Sequence, residues 1–133
     1  MSVYDLLSDR ERDWLHAKHR FAVLGTVRED GSPSLSVMWA LVQPDGTILM
    51  NTRYDRQKGR EVARDPRVSL CYEDGYEYLT FEGRVTLRDD PECADITALR
   101  DAYRDVVDFS AQKGQRVSLI MSVERVLRHL ERL

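Results

Sequence analysis

The chain has 133 residues, of which 20 are Lys or Arg and 23 are Asp or Glu, so its formal net charge is −3. This length, with 42% hydrophobic residues, is sufficient for one buried core, and we expect a single domain over residues 1–133. The acidic balance argues against nucleic acid or an anionic membrane as a partner, since both bind through dense positive charge. No apolar run approaches the roughly 18 residues that a membrane span requires.

The N-terminal segment is acidic and lacks the apolar stretch of a secretory signal, so we expect a cytoplasmic location. Cys71 and Cys93 stand in no metal-like spacing, and we expect free thiols. His16 and His19 have a spacing compatible with two metal ligands, but no third ligand joins them, and we predict no metal site. No serine lies in a Gly-x-Ser-x-Gly setting, and we predict no catalytic side chain.

The first half of the chain reads as one helix followed by strands. Ser8 with Glu11 forms a capping-box pattern that predicts a helix from about 9 to 19. Asp30-Gly31 is a strong tight-turn signal. The strands predicted around this turn and the next one cover residues 21–27, 33–42 and 47–52. We expect these three strands to form an antiparallel meander.

The second half alternates helices and strands. Asp55 is the predicted N-cap of a helix over 56–64, which Asp65-Pro66 ends. A second helix is predicted to begin at Asp90-Pro91. Its apolar stripe comprises Ile96, Leu99, Tyr103, Val106 and Val107. Further strands are predicted at 68–72, 76–87 and 117–127. Six strands with three helices predict a mainly β protein with helices at the rim of a small barrel.

Residues 53–67 concentrate positive charge in an acidic chain. The segment has three acidic residues and six basic ones, namely Arg53, Arg56, Lys58, Arg60, Arg64 and Arg67. Cations in the first turn of a helix oppose the helix dipole, and a bound phosphate would relieve that conflict. A solvated surface helix is the alternative interpretation.

Other candidate groups suit a planar ligand. Asn51 and Thr52 end a strand with polar groups that suit a ring edge or a ribityl chain, or that simply cap the strand. Trp39 forms either a pocket wall or part of the core. Tyr76 and Tyr78 share one strand face and either flank a planar ligand or pack on the sheet. The residues therefore predict a site for a phosphorylated planar cofactor that supplies the chemistry itself.

Several segments, in their order and spacing, resemble the split-barrel flavin-binding superfamily that includes pyridoxamine 5'-phosphate oxidases and deazaflavin-dependent reductases. The segments are 21–26, 30–33, 37–39, 51–52, 56–60, 65–68, 82–85, 116–119 and 123–126. The resemblance implies a six-stranded antiparallel split β-barrel of the FMN-binding type. It also implies a homodimer with a cofactor between its subunits and a small-molecule substrate.

The resemblance assigns cofactor-binding roles to individual positions. Those matching the phosphate-binding helix are Arg56, Gln57, Lys58 and Arg60. Val37, Met38 and Trp39 match the strand beside the ring. Asn51 and Thr52 match the strand end at the ring edge. Tyr76 and Tyr78 match aromatic positions that reach the ring from the partner chain. Glu61 departs from the Asn frequent in the family, and a carboxylate there is expected to repel the phosphate unless Arg60 or Arg64 neutralises it.

The oxidase subgroup has a further C-terminal stretch, which completes its pyridoxal phosphate site and which this sequence lacks, so the deazaflavin branch is the better match. We predict a reductase that uses reduced coenzyme F420, a deazaflavin, to transfer hydride to a small conjugated acceptor. One alternative is an FMN-dependent protein of the pyridoxamine 5'-phosphate oxidase type. The other is a non-catalytic carrier of flavin, deazaflavin or haem.

Overall fold

A computed structural model of the protein describes residues 2–130. Within that range it contains seven strands, three α-helices and two short 3-10 helices. The 3-10 helices are Val3–Leu6 and Ser110–Gln112. The α-helices are α1 (Asp9–His16), α2 (Gln57–Arg64) and α3 (Ala94–Ala102). The strands are β1 (Ala22–Val27), β2 (Pro33–Met38), β3 (Leu41–Val42), β4 (Ile48–Arg53), β5 (Arg67–Asp74), β6 (Glu77–Asp89) and β7 (Arg116–His129).

All seven strands belong to one antiparallel sheet in the order β2-β1-β5-β6-β7-β4-β3, curled into an open half-barrel. The longest pairing joins β6 to β7, and a bulge between Glu82 and Gly83 bends it. A side chain at Gly83 would collide with the backbone of Ser122, so this close strand approach requires glycine. The predicted mainly β split barrel is confirmed, with seven strands rather than six.

The predicted strand over 33–42 is broken at Trp39 and Ala40, which produces the additional strand. β2 pairs only with β1, whereas β3 pairs with β4 at the other end of the sheet order, so the predicted three-strand meander is wrong. Side chains replace the sheet partners at the break. The Ala40 N–H donates to the Tyr103 hydroxyl at 3.0 Å, and the Tyr72 hydroxyl donates to the Ala40 carbonyl at 2.8 Å.

The first two helices differ from prediction at their ends. The Ser8–Glu11 capping box is confirmed, but α1 ends at His16 instead of near residue 19. The N-cap of α2 is Arg56, in extended conformation and without a side-chain cap. The predicted cap Asp55 is wrong because its carboxylate pairs with Arg53 at 3.1 Å instead.

α3 begins later and ends earlier than predicted. Asp90 lies before the helix, where its carboxylate accepts hydrogen bonds from the backbone N–H groups of Asp95 and Ile96, each at 3.0 Å. The helix ends at Ala102, so Val106 and Val107 are not part of its apolar stripe; both are exposed. Ile96 and Leu99 are buried as predicted.

The apolar core has two parts. The larger part fills the barrel with residues that include Leu24, Met50 and Phe81. The smaller part lies between β4 and α3 and consists of Leu49, Cys93, Ile96, Leu99 and Phe109. Cys71 and Cys93 are both free thiols. In residues 2–130 no helix has both the length and the apolar character to cross a membrane.

Candidate functional site

An open groove with a volume of about 440 Å³ lies where β2, β4, α2, α3, the second 3-10 helix and β7 meet. One end is aromatic and apolar, and the other is cationic. Its lining residues are Phe21, Val37, Met38, Trp39, Asn51, Thr52, Arg53, Arg56, Lys58, Ile96, Leu99, Phe109, Gln112 and Arg116. Seven of the predicted site residues are therefore brought together in one place, namely Val37, Met38, Trp39, Asn51, Thr52, Arg56 and Lys58.

The aromatic end is built around Trp39. Its ring stacks on Tyr103 with centroids 5.9 Å apart and an angle of 20°, and Phe21 contacts the same tyrosine at 5.7 Å. The Tyr103 hydroxyl is fixed, because it donates to the Arg20 carbonyl at 2.6 Å and accepts from the Ala40 N–H. The half-buried Trp39 ring thus forms one wall of the groove, and its stacking on Tyr103 holds it in place.

Val37 and Met38 lie on opposite faces of β2, as successive strand residues do. Val37 is 69% exposed beside the groove, whereas Met38 is buried and packs with the barrel core. Only Val37 of these two therefore offers a largely free side chain. Thr52 is also buried, and it lies against Gly59 of α2.

Asn51 has both ends of its side-chain amide engaged within the protein. Its Oδ1 accepts a hydrogen bond from Arg116 Nε at 2.9 Å. Its Nδ2 donates to Asp90 Oδ2 at 3.1 Å and to Ser118 Oγ at 3.0 Å. Asn51 is therefore an anchor for Arg116, and its expected contact with a ring edge stays a prediction.

The cationic end contains four basic side chains from three elements. Arg53 pairs with Asp55, but among residues 2–130 no carboxylate forms an ion pair with Arg56, Lys58 or Arg116. Burial lowers the pKa of Lys58, the nearby charges of Arg56 and Arg116 lower it further, and the charge of Glu61 opposes these effects in part. Burial likewise lowers the pKa of Arg116. An anion placed here would offset the free-energy cost of burying these cations and would reduce the repulsion between them.

Glu61 faces away from this cationic end. It is 2% exposed, and its carboxylate accepts hydrogen bonds from Thr26 Oγ1 and Gln57 Nε2, both at 2.6 Å. Burial raises the pKa of Glu61, but these hydrogen bonds outweigh that effect, and the pKa lies below its ordinary value. The Glu61 carboxylate points into the barrel wall toward β1, and the charge of Arg64 also lowers its pKa. Its effect on a bound phosphate stays a prediction.

Four predicted residues do not line the groove of this chain. The Gln57 amide is engaged by Glu61, and Arg60 Nη1 donates to the Asp55 carbonyl at 3.0 Å. Tyr76 is 90% exposed in the β5–β6 turn. Tyr78 stacks on His129 with centroids 5.2 Å apart. Their contacts with a cofactor stay predictions.

The sequence did not point to several lining residues, including Phe21, Ile96, Leu99, Phe109, Gln112 and Arg116. Arg116 begins β7 and is the cross-strand partner of Arg53, and its guanidinium lies 5.1 Å from the Phe109 ring centroid. A basic residue opening the last strand was the available signal, but its place beside β4 depends on a long-range pairing. No group of three or more His, Cys, Asp or Glu in the described part of the chain has a metal-binding arrangement.

The groove has the features that a planar cofactor with a phosphate requires. A fixed aromatic wall suits a flat ring, and cations without carboxylate partners suit an anionic group. The two features lie at different parts of one groove, so a single ligand spanning them would satisfy both.

Two curated relatives are similar in sequence. An F420H(2)-dependent biliverdin reductase of Mycobacterium tuberculosis (strain CDC 1551 / Oshkosh) is 30% identical over 125 residues, which cover 91% of this chain and 87% of that protein. A pyridoxine/pyridoxamine 5'-phosphate oxidase of Bacteroides thetaiotaomicron is 34% identical over 50 residues. That match covers 38% of this chain and only 24% of the relative.

Solved structures with the same fold include an F420 reductase, with a TM-score of 0.81 and 26% identity over 88% of this chain and 96% of that one. HutZ, the haem storage protein from Vibrio cholerae, has a TM-score of 0.72 and 18% identity over 90% of this chain and 93% of its own. The sequence profile of the family described as pyridoxamine 5'-phosphate oxidase matches residues 7–129. With this match and the split-barrel fold, the chain belongs to the pyridoxamine 5'-phosphate oxidase family.

Proposed function

We propose that the protein is an oxidoreductase that binds coenzyme F420 in the groove and reduces a small conjugated organic acceptor. The observation that carries this proposal is the pairing of a fixed aromatic wall at Trp39 with a cationic end at Arg56 and Lys58 that has no carboxylate partner within residues 2–130. Two similar proteins, the F420H(2)-dependent biliverdin reductase and the F420 reductase, support F420 as the cofactor.

The cationic end would hold the phosphate of the cofactor. α2 begins at Gln57, so the free backbone N–H groups of its first turn and the Lys58 ammonium are available to one anion. Arg56, the N-cap residue, has no side-chain partner within residues 2–130 and adds a forked donor. Gln57 and Arg60 would join them only after leaving their present partners, Glu61 and Asp55.

The other end would hold the ring. Val37, Met38 and Trp39 would form the strand beside it, and Asn51 and Thr52 the strand end near its edge. When bound, reduced F420 supplies the hydride. The chain's own contribution is to position the ring against Trp39 and to leave one ring face open toward the substrate. No side chain is required as an obligatory base in this scheme.

We further propose a homodimer whose cofactors lie between subunits. Leu35 and Val37 expose 71% and 69% of their surface on β2, and Phe21 exposes 59% beside them, so an apolar surface borders the groove. A second copy covering this surface would close the groove. Tyr76 and Tyr78, which do not line the groove of their own chain, would then reach the cofactor of the partner.

A titration of the purified protein with F420 and with FMN, followed by ligand fluorescence, tests the proposal. We expect saturable F420 binding and weaker FMN binding. Tight FMN binding with no F420 binding would favour an FMN-dependent oxidoreductase, and such a protein would be yellow when isolated. Cofactor binding with no turnover of quinones, enones or tetrapyrroles would favour a carrier.

A further inference from the structure

Arg116 differs from most arginines on this protein in the kind of partner it has. Arg67, Arg88 and Arg128 each pair with a carboxylate, at 2.6, 2.9 and 2.6 Å. Arg116 instead donates to two neutral side-chain oxygens, Asn51 Oδ1 and Gln112 Oε1, both at 2.9 Å. These bonds fix the guanidinium without neutralising it.

The bonds also leave part of the guanidinium available. Arg116 uses Nε for Asn51 and one N–H of Nη1 for Gln112, and no hydrogen bond forms from Nη2 to any of residues 2–130. The side chain lines the groove, where burial lowers its pKa. The charges of Arg53 and Arg56 lower that pKa further, whereas Cys93 and Asp90 raise it. A guanidinium held in place with free N–H groups beside other cations is prepared for an anion.

The orientation of Asn51 is imposed from the far side by Asp90. This carboxylate is 3% exposed, can only accept hydrogen bonds when ionised, and already accepts two from the start of α3. The Asn51 NH2 must therefore face Asp90, which turns its Oδ1 toward Arg116. The start of α3 and the position of Arg116 are linked through this one amide.

We propose that Arg116 is a third anion-binding residue of the groove, held by Asn51 and Gln112 as positioning residues, so that a phosphate group is bound from β7 as well as from α2. This inference deepens the proposed function and rests on it for the identity of the cofactor. The ligand class, a phosphate-bearing molecule, follows from the cations themselves.

The direct test compares Arg116→Gln, Arg116→Lys and Gln112→Ala with the wild type in F420 titrations at low and high salt. Lys113→Gln is the matched control, because Lys113 lies outside the groove and pairs with the exposed Glu92 at 3.4 Å. We expect Arg116→Gln to weaken binding about 10- to 100-fold and to reduce its salt dependence. Arg116→Lys should keep the salt dependence but lose affinity, since a single ammonium nitrogen lacks the planar fork with which Arg116 reaches Asn51 and Gln112 from separate nitrogens.

A double-mutant comparison tests whether Gln112 acts by positioning Arg116. Gln112→Ala should weaken binding several-fold in the wild type and have no further effect in Arg116→Gln, a non-additivity that a general loss of stability would not produce. Thermal unfolding of the ligand-free variants supplies the check on folding. If Arg116→Gln lowers the unfolding temperature and binds F420 as tightly as Lys113→Gln does, Arg116 is structural and the inference is wrong.

Inorganic phosphate separates this inference from the proposed function. If the wild type binds neither F420 nor FMN, the proposed function fails. The inference still stands if phosphate raises the unfolding temperature of the wild type and of Lys113→Gln but not of Arg116→Gln. If phosphate stabilises all three proteins equally, or none of them, the inference about Arg116 is wrong as well.

Discussion

Thr26 donates a hydrogen bond from its hydroxyl to Glu61 at 2.6 Å. This contact directs the Glu61 carboxylate, the only one on α2, toward the wall of the barrel. Arg56 and Lys58 therefore line the groove at the start of the helix, and Glu61 does not. Cations at a helix N-terminus are unfavourable in isolation. The charge of Glu61 still raises the pKa of Lys58, but the Thr26–Glu61 contact keeps the carboxylate itself out of the groove.

Glu61→Gln should destabilise the protein by about 1–2 kcal/mol at neutral pH, because the amide has one acceptor oxygen where the carboxylate has two, and the hydrogen bond that it keeps is a weaker neutral one. The Glu61 pKa is lower in the folded state than in the unfolded state, so its stabilising contribution is present above the unfolded pKa. It is lost as the pH falls through the folded pKa. The difference between the variant and the wild type in urea unfolding should therefore shrink below about pH 4; a pH-independent difference would contradict this account.

Lys58→Ala should weaken F420 binding by about 1.5–3 kcal/mol, the range for a hydrogen bond to a charged group. Ligand-free stability should change little or rise, because the substitution removes a cation from beside Arg56 and Arg116. Lys113→Ala is the control for the loss of one exposed lysine. A drop in unfolding temperature with unchanged affinity would instead support a solvated helix with no ligand.

F420 affinity should decrease toward alkaline pH because of Lys58. Burial and the neighbouring cations Arg56 and Arg116 lower the pKa of this ammonium in the free protein, whereas a bound phosphate would raise it again. Affinity is then constant below the free-state pKa and falls as the pH rises through it. Titrations across this range should show the decrease in the wild type and a flatter profile in Lys58→Ala; parallel profiles would exclude Lys58 as its source.

Trp39 should report cofactor binding through its fluorescence. The chain has two tryptophans, and the other one, Trp14, lies on α1 under the Arg20 guanidinium and outside the groove. F420 should quench the emission of Trp14→Phe, in which only Trp39 remains. The same titration of Trp39→Phe should show little quenching. Equal quenching in both variants would argue against a ring placed beside Trp39.

Leu35→Arg should disrupt the proposed homodimer and weaken cofactor binding together, because it places a charge in the exposed apolar surface of β2. Val106→Arg is a matched control, since Val106 is 93% exposed on the loop after α3. Sedimentation at micromolar concentration measures the first effect and F420 titration the second. A monomeric Leu35→Arg that binds F420 normally would show that one chain suffices for the site.

Local signals in the sequence account for much of this fold and for part of the site. The Ser8–Glu11 capping box marks the start of α1 correctly, because both partners lie within one helical turn. Arg56 and Lys58 were predicted to face a ligand from their charge and their place at a helix start, and both line the groove. Whether they bind a phosphate stays a prediction.

The features that the sequence did not predict depend on distant partners. The break at Ala40 depends on hydroxyl groups of Tyr72 and Tyr103, which lie 32 and 63 positions further along the chain. Arg116 reaches the groove only because β7 pairs with β4. The inward orientation of Glu61 likewise depends on Thr26, since helix periodicity alone does not say which face meets β1.

A crystal structure of the protein grown with saturating F420 shows directly whether the groove binds the cofactor. We expect the deazaflavin ring against Trp39 and the phosphate within hydrogen-bond distance of Arg56 and Lys58. An empty groove, with these two side chains extended into solvent and the ligand absent or bound elsewhere, would contradict it.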